Sequence, residues 1–173
     1  MKLGHLLIAI FLFASLPAMA AEKVVAMRAI SEAGVGKIIG IIKLADSERG
    51  LLITPDLAEL PPGAHGFHIH QSPSCATLEK EGKKVAGLGA GGHYDPTNSG
   101  KHEGPAGAGH SGDLPALVVA ADGSTTQPML AARLKLADVI DRAIIIHAGS
   151  DNYRDDPKPL GGGGARIACG IIE

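Results

Sequence analysis

Residues 64–113 read AHGFHIHQSPSCATLEKEGKKVAGLGAGGHYDPTNSGKHEGPAGAGHSGD. The stretch holds six of the chain's eight histidines, His65, His68, His70, His93, His102 and His110, and ends on the carboxylate of Asp113. Its opening, GFHIH, reads as a strand. Residues i and i+2 of a strand share a face, so His68 and His70 project together while Ile69 projects to the other side. Two imidazoles on a rigid strand are half of a copper or zinc site, although the pair alone also fits surface histidines. His93, His102, His110 and Asp113 follow in a glycine-rich loop, at spacings of nine, eight and three residues. Three imidazoles and one carboxylate suit a tetrahedral zinc ion. They also explain how a run with so little apolar content becomes ordered, because a metal supplies the energy that packing does not. His147 closes the apolar run Ile144–Ile146, so a strand aims it inward, either as a further ligand or as a hydrogen-bonded core histidine.

Working outward, residues 24–30, 37–44 and 50–53 are short, aliphatic or β-branched, and separated by Gly, Asp or Ser, which predicts a strand meander. Further strands are predicted over 64–71, 115–120, 129–134, 143–147 and 166–172, with a helical turn over 136–141. Residues 72–113 show almost no apolar periodicity, and a structureless run of that length inside a domain is usually functional. Residues 148–164 form a second long loop, charged and then glycine-rich. The pattern predicts an all-β fold, an eight-stranded antiparallel Greek-key sandwich or barrel carrying two long functional loops.

The first twenty residues carry a different signal. Lys2 gives a positive start, residues 6–16 are an apolar core too short for a bilayer, and Ala18-Met19-Ala20 is a small-residue cleavage site. The expected organisation is therefore a cleaved signal peptide over 1–20, which takes His5 with it, and a single domain over 21–173. Export implies an oxidising compartment, the periplasm. Cys75 and Cys169 are then expected to pair, two free buried thiols being the alternative.

Losing Lys2 with the leader leaves 15 basic against 18 acidic residues, a net charge of −3 with neutral histidines. That balance argues against a nucleic-acid partner. No later stretch is apolar enough to span a membrane, so no membrane association is expected once the leader is gone. There is no tryptophan, and the only phenylalanine beyond residue 20 is Phe67, so the core must be aliphatic.

The ordered segments GFHIH (66–70), GGHYDP (91–96), GKHEGP (100–105), GHSGDLP (109–115) and GGGGARIACG (161–170) resemble the copper/zinc superoxide dismutase family in its exported bacterial branch. The resemblance covers essentially all of residues 24–173. It implies dismutation of superoxide to dioxygen and hydrogen peroxide by alternating reduction and oxidation of a histidine-ligated copper. By position it implies copper on His68, His70, His93 and His147, and zinc on His93, His102, His110 and Asp113, with the ring of His93 shared. It implies that Arg166 and His93 are the catalytic residues, that Asp151 is an outer carboxylate joining ligands of the two ions, and that Cys75 and Cys169 form the disulfide. His65 matches no ligand and reads as structural, its ring bonded between strands. Lys101 and Glu103 are candidates to guide the substrate. A monomer is expected, with a homodimer as the alternative, because the loop between His102 and His110 offers no large apolar anchor.

Two other functions fit parts of the pattern. A periplasmic copper carrier or metal-storage protein of the same fold would be expected to lack part of the zinc set, the bridge or the arginine. A zinc hydrolase would need a general base beside an open metal position, and no Glu or Asp stands out for that role.

Overall fold

The structure, a computed structural model, describes residues 21–173. The expected leader, its cleavage site and His5 lie outside the described residues. Strand β1 (Glu22–Ser31) buries Val25 and Met27 and exposes Val24, Ala26 and Arg28, the period-2 pattern of a sheet with one face on the core. β2 (Gly34–Ser47) and β3 (Gly50–Leu57) continue the meander, β3 burying Leu51, Ile53 and Leu57. The chain then forms β4 (Gly63–His65), β5 (Phe67–His70), the hairpin β6 (Leu78–Lys80) and β7 (Lys83–Val85), and β8 (Leu117–Val119). It ends with β9 (Met129–Ala131), the single helical turn α1 (Leu136–Val139), β10 (Arg142–His147) and β11 (Arg166–Ile172).

Seven strands form one antiparallel curled sheet in the order β5-β10-β11-β1-β2-β3-β9, and β4 pairs with β8 beside it. Counting β4 and β5 as one strand broken at Gly66, eight strands make the sandwich or barrel, as the sequence predicts. The break is a departure from the continuous strand expected over 64–71. Gly66 donates its N–H to Gly149 O and accepts from His147 N, so its backbone leaves the β4–β8 pair and joins the sheet edge at β10. Residues 72–113 also differ from the structureless run expected. They contain the β6–β7 hairpin and a turn of 3-10 helix at Leu88–Ala90, both too short to give a period.

The core is aliphatic. Phe67, Ile69, Ile144 and Ile146 join Ile42, Leu44, Leu51 and Ile53 in the main cluster. Fully burying such a side chain is worth about 1.5–3 kcal/mol. Alternation on β10 sends Ala143 and Ile145 to the opposite face, where they form a smaller cluster with Ile30, Ala90 and Cys169. His147 shares that face. The register pairs His68 with Ile145 and His70 with Ala143, so the histidines stand outside the main core, on a sheet face covered by the loops.

Candidate metal centre

β5 is the template on which the site assembles. Along one edge it pairs with β10; along the other, the long loop returns to it twice, bridging His70 with His93 and His68 with Asp113. Ile69 anchors the return through its N–H to Gly112 O at 2.9 Å and its carbonyl from Tyr94 N at 2.8 Å. Gly112 must be glycine for this approach, since a Cβ there would lie 2.3 Å from Ile69 O.

Two donor groups result. His68, His70, His93 and His147 offer nitrogens all within 4.8 Å of one another, and so do the ligand atoms of His68, His93, His102 and Asp113. The ring of His93 stands between the groups. Its centroid is 3.9 Å from His68, 5.0 Å from His70 and 6.1 Å from His147, and 5.3 Å from His102 and 5.4 Å from His110. His93 Nδ1 faces Asp113 Oδ1 at 2.9 Å, which turns Nε2 away from the aspartate. His110 stands at the margin of the second group, its Nδ1 3.5 Å from Asp113 Oδ1. His68 falls geometrically in both groups because its ring stacks on His93, but it has one free nitrogen to give: Nε2 is held by Asp151 Oδ2 at 2.7 Å.

On every site ring except that of His110, hydrogen bonding sets one nitrogen and orphans the other. His70 Nδ1 donates to Gly91 O, His147 Nδ1 to Gly164 O, and His102 Nε2 to Asp151 Oδ1. His68 Nδ1, His70 Nε2, His93 Nε2, His147 Nε2, His102 Nδ1, His110 Nδ1 and Asp113 Oδ2 are buried and have no hydrogen-bond partner. The Nδ1 of His102 is 3.0 Å from Asp113 Oδ2 but out of line for a hydrogen bond. Buried polar atoms without partners are rare, and seven of the nine among the described residues are nitrogen and carboxylate donors that converge here, the other two being Thr125 Oγ1 and Arg142 Nε. The donor set therefore fits a pair of ions, imidazoles for copper and imidazoles with a carboxylate for zinc.

The electrostatics agree. Burial, with the neighbouring rings, pushes His68 down to about 3 and His147 down to about 4. Burial also lowers His70 and His93, and the nearby Arg166 charge lowers His70 further. These rings are neutral at pH 7, the form that binds metal. At His102 burial opposes the charge, but the Asp113 carboxylate 3.0 Å away and the hydrogen bond to Asp151 outweigh it and raise the ring to about 9. Burial likewise disfavours the Asp113 and Asp151 carboxylates, but their histidine partners overcome it and hold both acids well below the usual carboxylate range.

Arg166, at the start of β11, donates to Gly87 O and, at 2.7 Å, to Gly91 O, the same carbonyl that His70 uses. Gly161 (φ 70°) passes so close beneath Asp151 and His102 that a Cβ would lie 1.9 Å from Asp151 Oδ1. The glycine run thus packs backbone against Asp151, His102 and His147. Cys75 and Cys169 are joined, tying the loop to β11. His65 bonds Pro61 O and His147 O, as expected of a structural ring. Asp155 was missed: its carboxylate accepts from His102 N at 2.8 Å and Leu160 N at 3.0 Å, linking the two loops. In sequence it is one charge among several in DNYRDD, and nothing there marks it.

The profile of the copper/zinc superoxide dismutase family matches residues 38–172. The chain belongs to the copper/zinc superoxide dismutase family. The Escherichia coli K12 superoxide dismutase [Cu-Zn] is 54% identical over 157 residues, covering 90% of this chain and 91% of that one. The Cu/Zn superoxide dismutase of Brucella abortus superposes with a TM-score of 0.87 at 48% identity, covering 88% of this chain and all of the other. A monomeric copper, zinc superoxide dismutase from Salmonella enterica, solved in solution, gives a TM-score of 0.80 at 54% identity, covering 88% of this chain. As members of a copper/zinc superoxide dismutase family, such chains use copper and zinc and are enzymes.

Proposed function

We propose that the superoxide dismutase activity of this chain resides in the histidine cluster described above, with copper on His68, His70, His93 and His147 and zinc on His93, His102, His110 and Asp113. The observation that carries this reading is the set of seven buried, partnerless donor atoms on His68, His70, His93, His102, His110, His147 and Asp113.

Copper, when bound, supplies the reversible one-electron chemistry that converts two superoxide ions and two protons to dioxygen and hydrogen peroxide. The protein's own groups do the rest. Arg166, fixed on two carbonyls, keeps N–H donors for a small anion and binds superoxide by a charge-assisted hydrogen bond. His93 Nε2 takes up and returns the proton, while Nδ1 stays with the zinc donors and keeps the ring in place. Asp151 orients His68 and His102 together. The carrier alternative has no feature of the site in its favour, since bridge, zinc donors and arginine are all present.

The reading extends to cell address and assembly. Residues 1–20 are removed on export to the periplasm, supported by the Cys75–Cys169 disulfide, which persists in oxidising compartments. The enzyme acts as a monomer, supported by the monomeric relative from Salmonella enterica. Stopped-flow loss of superoxide, abolished by removing copper and restored by adding it back, tests the function. Metal-loaded protein that leaves superoxide to its spontaneous decay would overturn it. A periplasmic protein starting at Ala21, and a monomer mass by light scattering, test the rest.

A further inference from the structure

Arg133 lies two residues beyond β9 and bonds none of the donor atoms of the site. Its guanidinium nevertheless spends four hydrogen bonds on the loop that carries His110. Nε donates to Pro105 O at 3.2 Å, Nη1 to Gly109 O at 3.0 Å, and Nη2 to Gly104 O at 3.2 Å and to His110 O. Among the described residues no carboxylate pairs with Arg133, so its charge is met by carbonyl dipoles.

The segment it grips, GPAGAGH over residues 104–110, has no large apolar side chain and forms no strand, so packing supplies little to order it. Gly104 lies against Tyr153, where a Cβ would be 2.7 Å from the tyrosine's own Cβ. The segment is also tied by His110 N to Lys101 O at 2.9 Å and Ala108 N to Glu103 Oε2 at 3.0 Å. Gly104 O and His110 O accept long bonds from Gly107 N at 3.3 Å and Asp113 N at 3.4 Å, but among the described residues Pro105 O and Gly109 O are met by the guanidinium alone. The donor at stake is the marginal one. His110 Nδ1 is 3.5 Å from Asp113 Oδ1, against 2.9 Å for His93 and 3.0 Å for the closest His102–Asp113 approach.

We propose that Arg133 is a positioning residue for zinc: its guanidinium, bonded to the carbonyls of Gly104, Pro105, Gly109 and His110, sets the loop that brings His110 to the ion without touching it. The proposal rests on His110 being a zinc donor. An arginine suits the task because its donors form a rigid planar fork that spans several acceptors. A lysine carries the same charge on one rotatable point and reaches fewer of them.

The test uses the full copper- and zinc-loaded protein with Arg133→Lys and Arg133→Met, beside the native chain and His110→Ala. Zinc release into a chromogenic chelator is timed, and cobalt(II) placed in the zinc position reports coordination through its visible bands. Both Arg133 variants are expected to release zinc about tenfold faster and to shift the cobalt bands, with the copper spectrum unchanged. Native zinc release and native cobalt bands in both variants overturn the proposal. So does joint loss of copper and zinc, which marks a general structural role. If His110→Ala holds zinc as the native chain does, the underlying assignment of His110 fails, and the proposal with it.

Discussion

Asp151 accepts a hydrogen bond from His102 through Oδ1, 2.8 Å from Nε2, and so decides which nitrogen of that ring is left to face Asp113. Its other oxygen does the same for His68 at 2.7 Å. One carboxylate thereby orients a ring in each donor group. An amide at this position offers a single acceptor oxygen and turns an NH2 toward the second ring. Asp151→Asn should weaken zinc retention about ten- to hundredfold, measured by chelator competition. Native retention would mean that the ring orientations are set elsewhere.

Zinc uptake should release protons in a pH window that identifies His102. In metal-free protein this ring titrates at about 9, so at pH 7 it is charged, while His68 and His147, lowered to about 3 and 4, are already neutral. Zinc must displace the His102 proton, giving about one proton per zinc at pH 7 and almost none above pH 10. An indicator dye in weak buffer reads the release directly. The same shift makes a stability prediction. A folded value raised above the ordinary 6.5 stabilises the metal-free fold fully below that pH, and the contribution disappears as pH rises through about 9. Urea midpoints of metal-free protein should fall over that interval, and His102→Gln should flatten the decline.

The disulfide closes a long loop, since Cys75 and Cys169 are 94 residues apart. It also joins the loop under Arg166 to β11 inside the smaller apolar cluster. Chain-entropy reasoning assigns such a cross-link about 4–5 kcal/mol. Replacing both cysteines with serine should lower the unfolding free energy by about that much in urea titrations at constant metal loading. A loss under about 1 kcal/mol would mean the unfolded chain is little constrained by the bridge.

What the sequence disclosed and what it hid follow from range. His68 and His70 were legible as a pair because strand alternation is a local rule, and β11 matched its expected span because the apolar run IACGII follows closely on the glycines of 161–164. The break at Gly66 was hidden, since it depends on Gly149 and His147, more than eighty residues away. Asp155 and Arg133 were hidden for a related reason. Each bonds backbone groups of a distant loop, N–H donors for Asp155 and carbonyl acceptors for Arg133, and a backbone partner leaves no residue type to recognise. The β6–β7 hairpin escaped because its strands are short and both faces are largely exposed, so no apolar period marks them.

Arg166 makes the sharpest kinetic prediction. Its guanidinium is held on Gly87 O and Gly91 O, and among the described residues no carboxylate neutralises it. Its charge is felt at His70 and His147, both of which it helps to keep neutral. A positive group with donors to spare, close to the His70 and His147 rings, is therefore available to an incoming anion. A hydrogen bond to a charged partner is worth about 1.5–3 kcal/mol, roughly ten- to hundredfold in rate when it is made on the way to reaction. Arg166→Met should lower kcat/KM for superoxide by that factor at unchanged copper content, and should make the rate less sensitive to salt. Arg166→Lys should fall between, because it keeps the charge but cannot span both carbonyls. The visible copper spectrum separates this role from bracing. If the rate falls only in step with a distorted spectrum, Arg166 acts by holding Gly91 and through it His70; a native spectrum with a slowed, salt-insensitive rate assigns it to the anion.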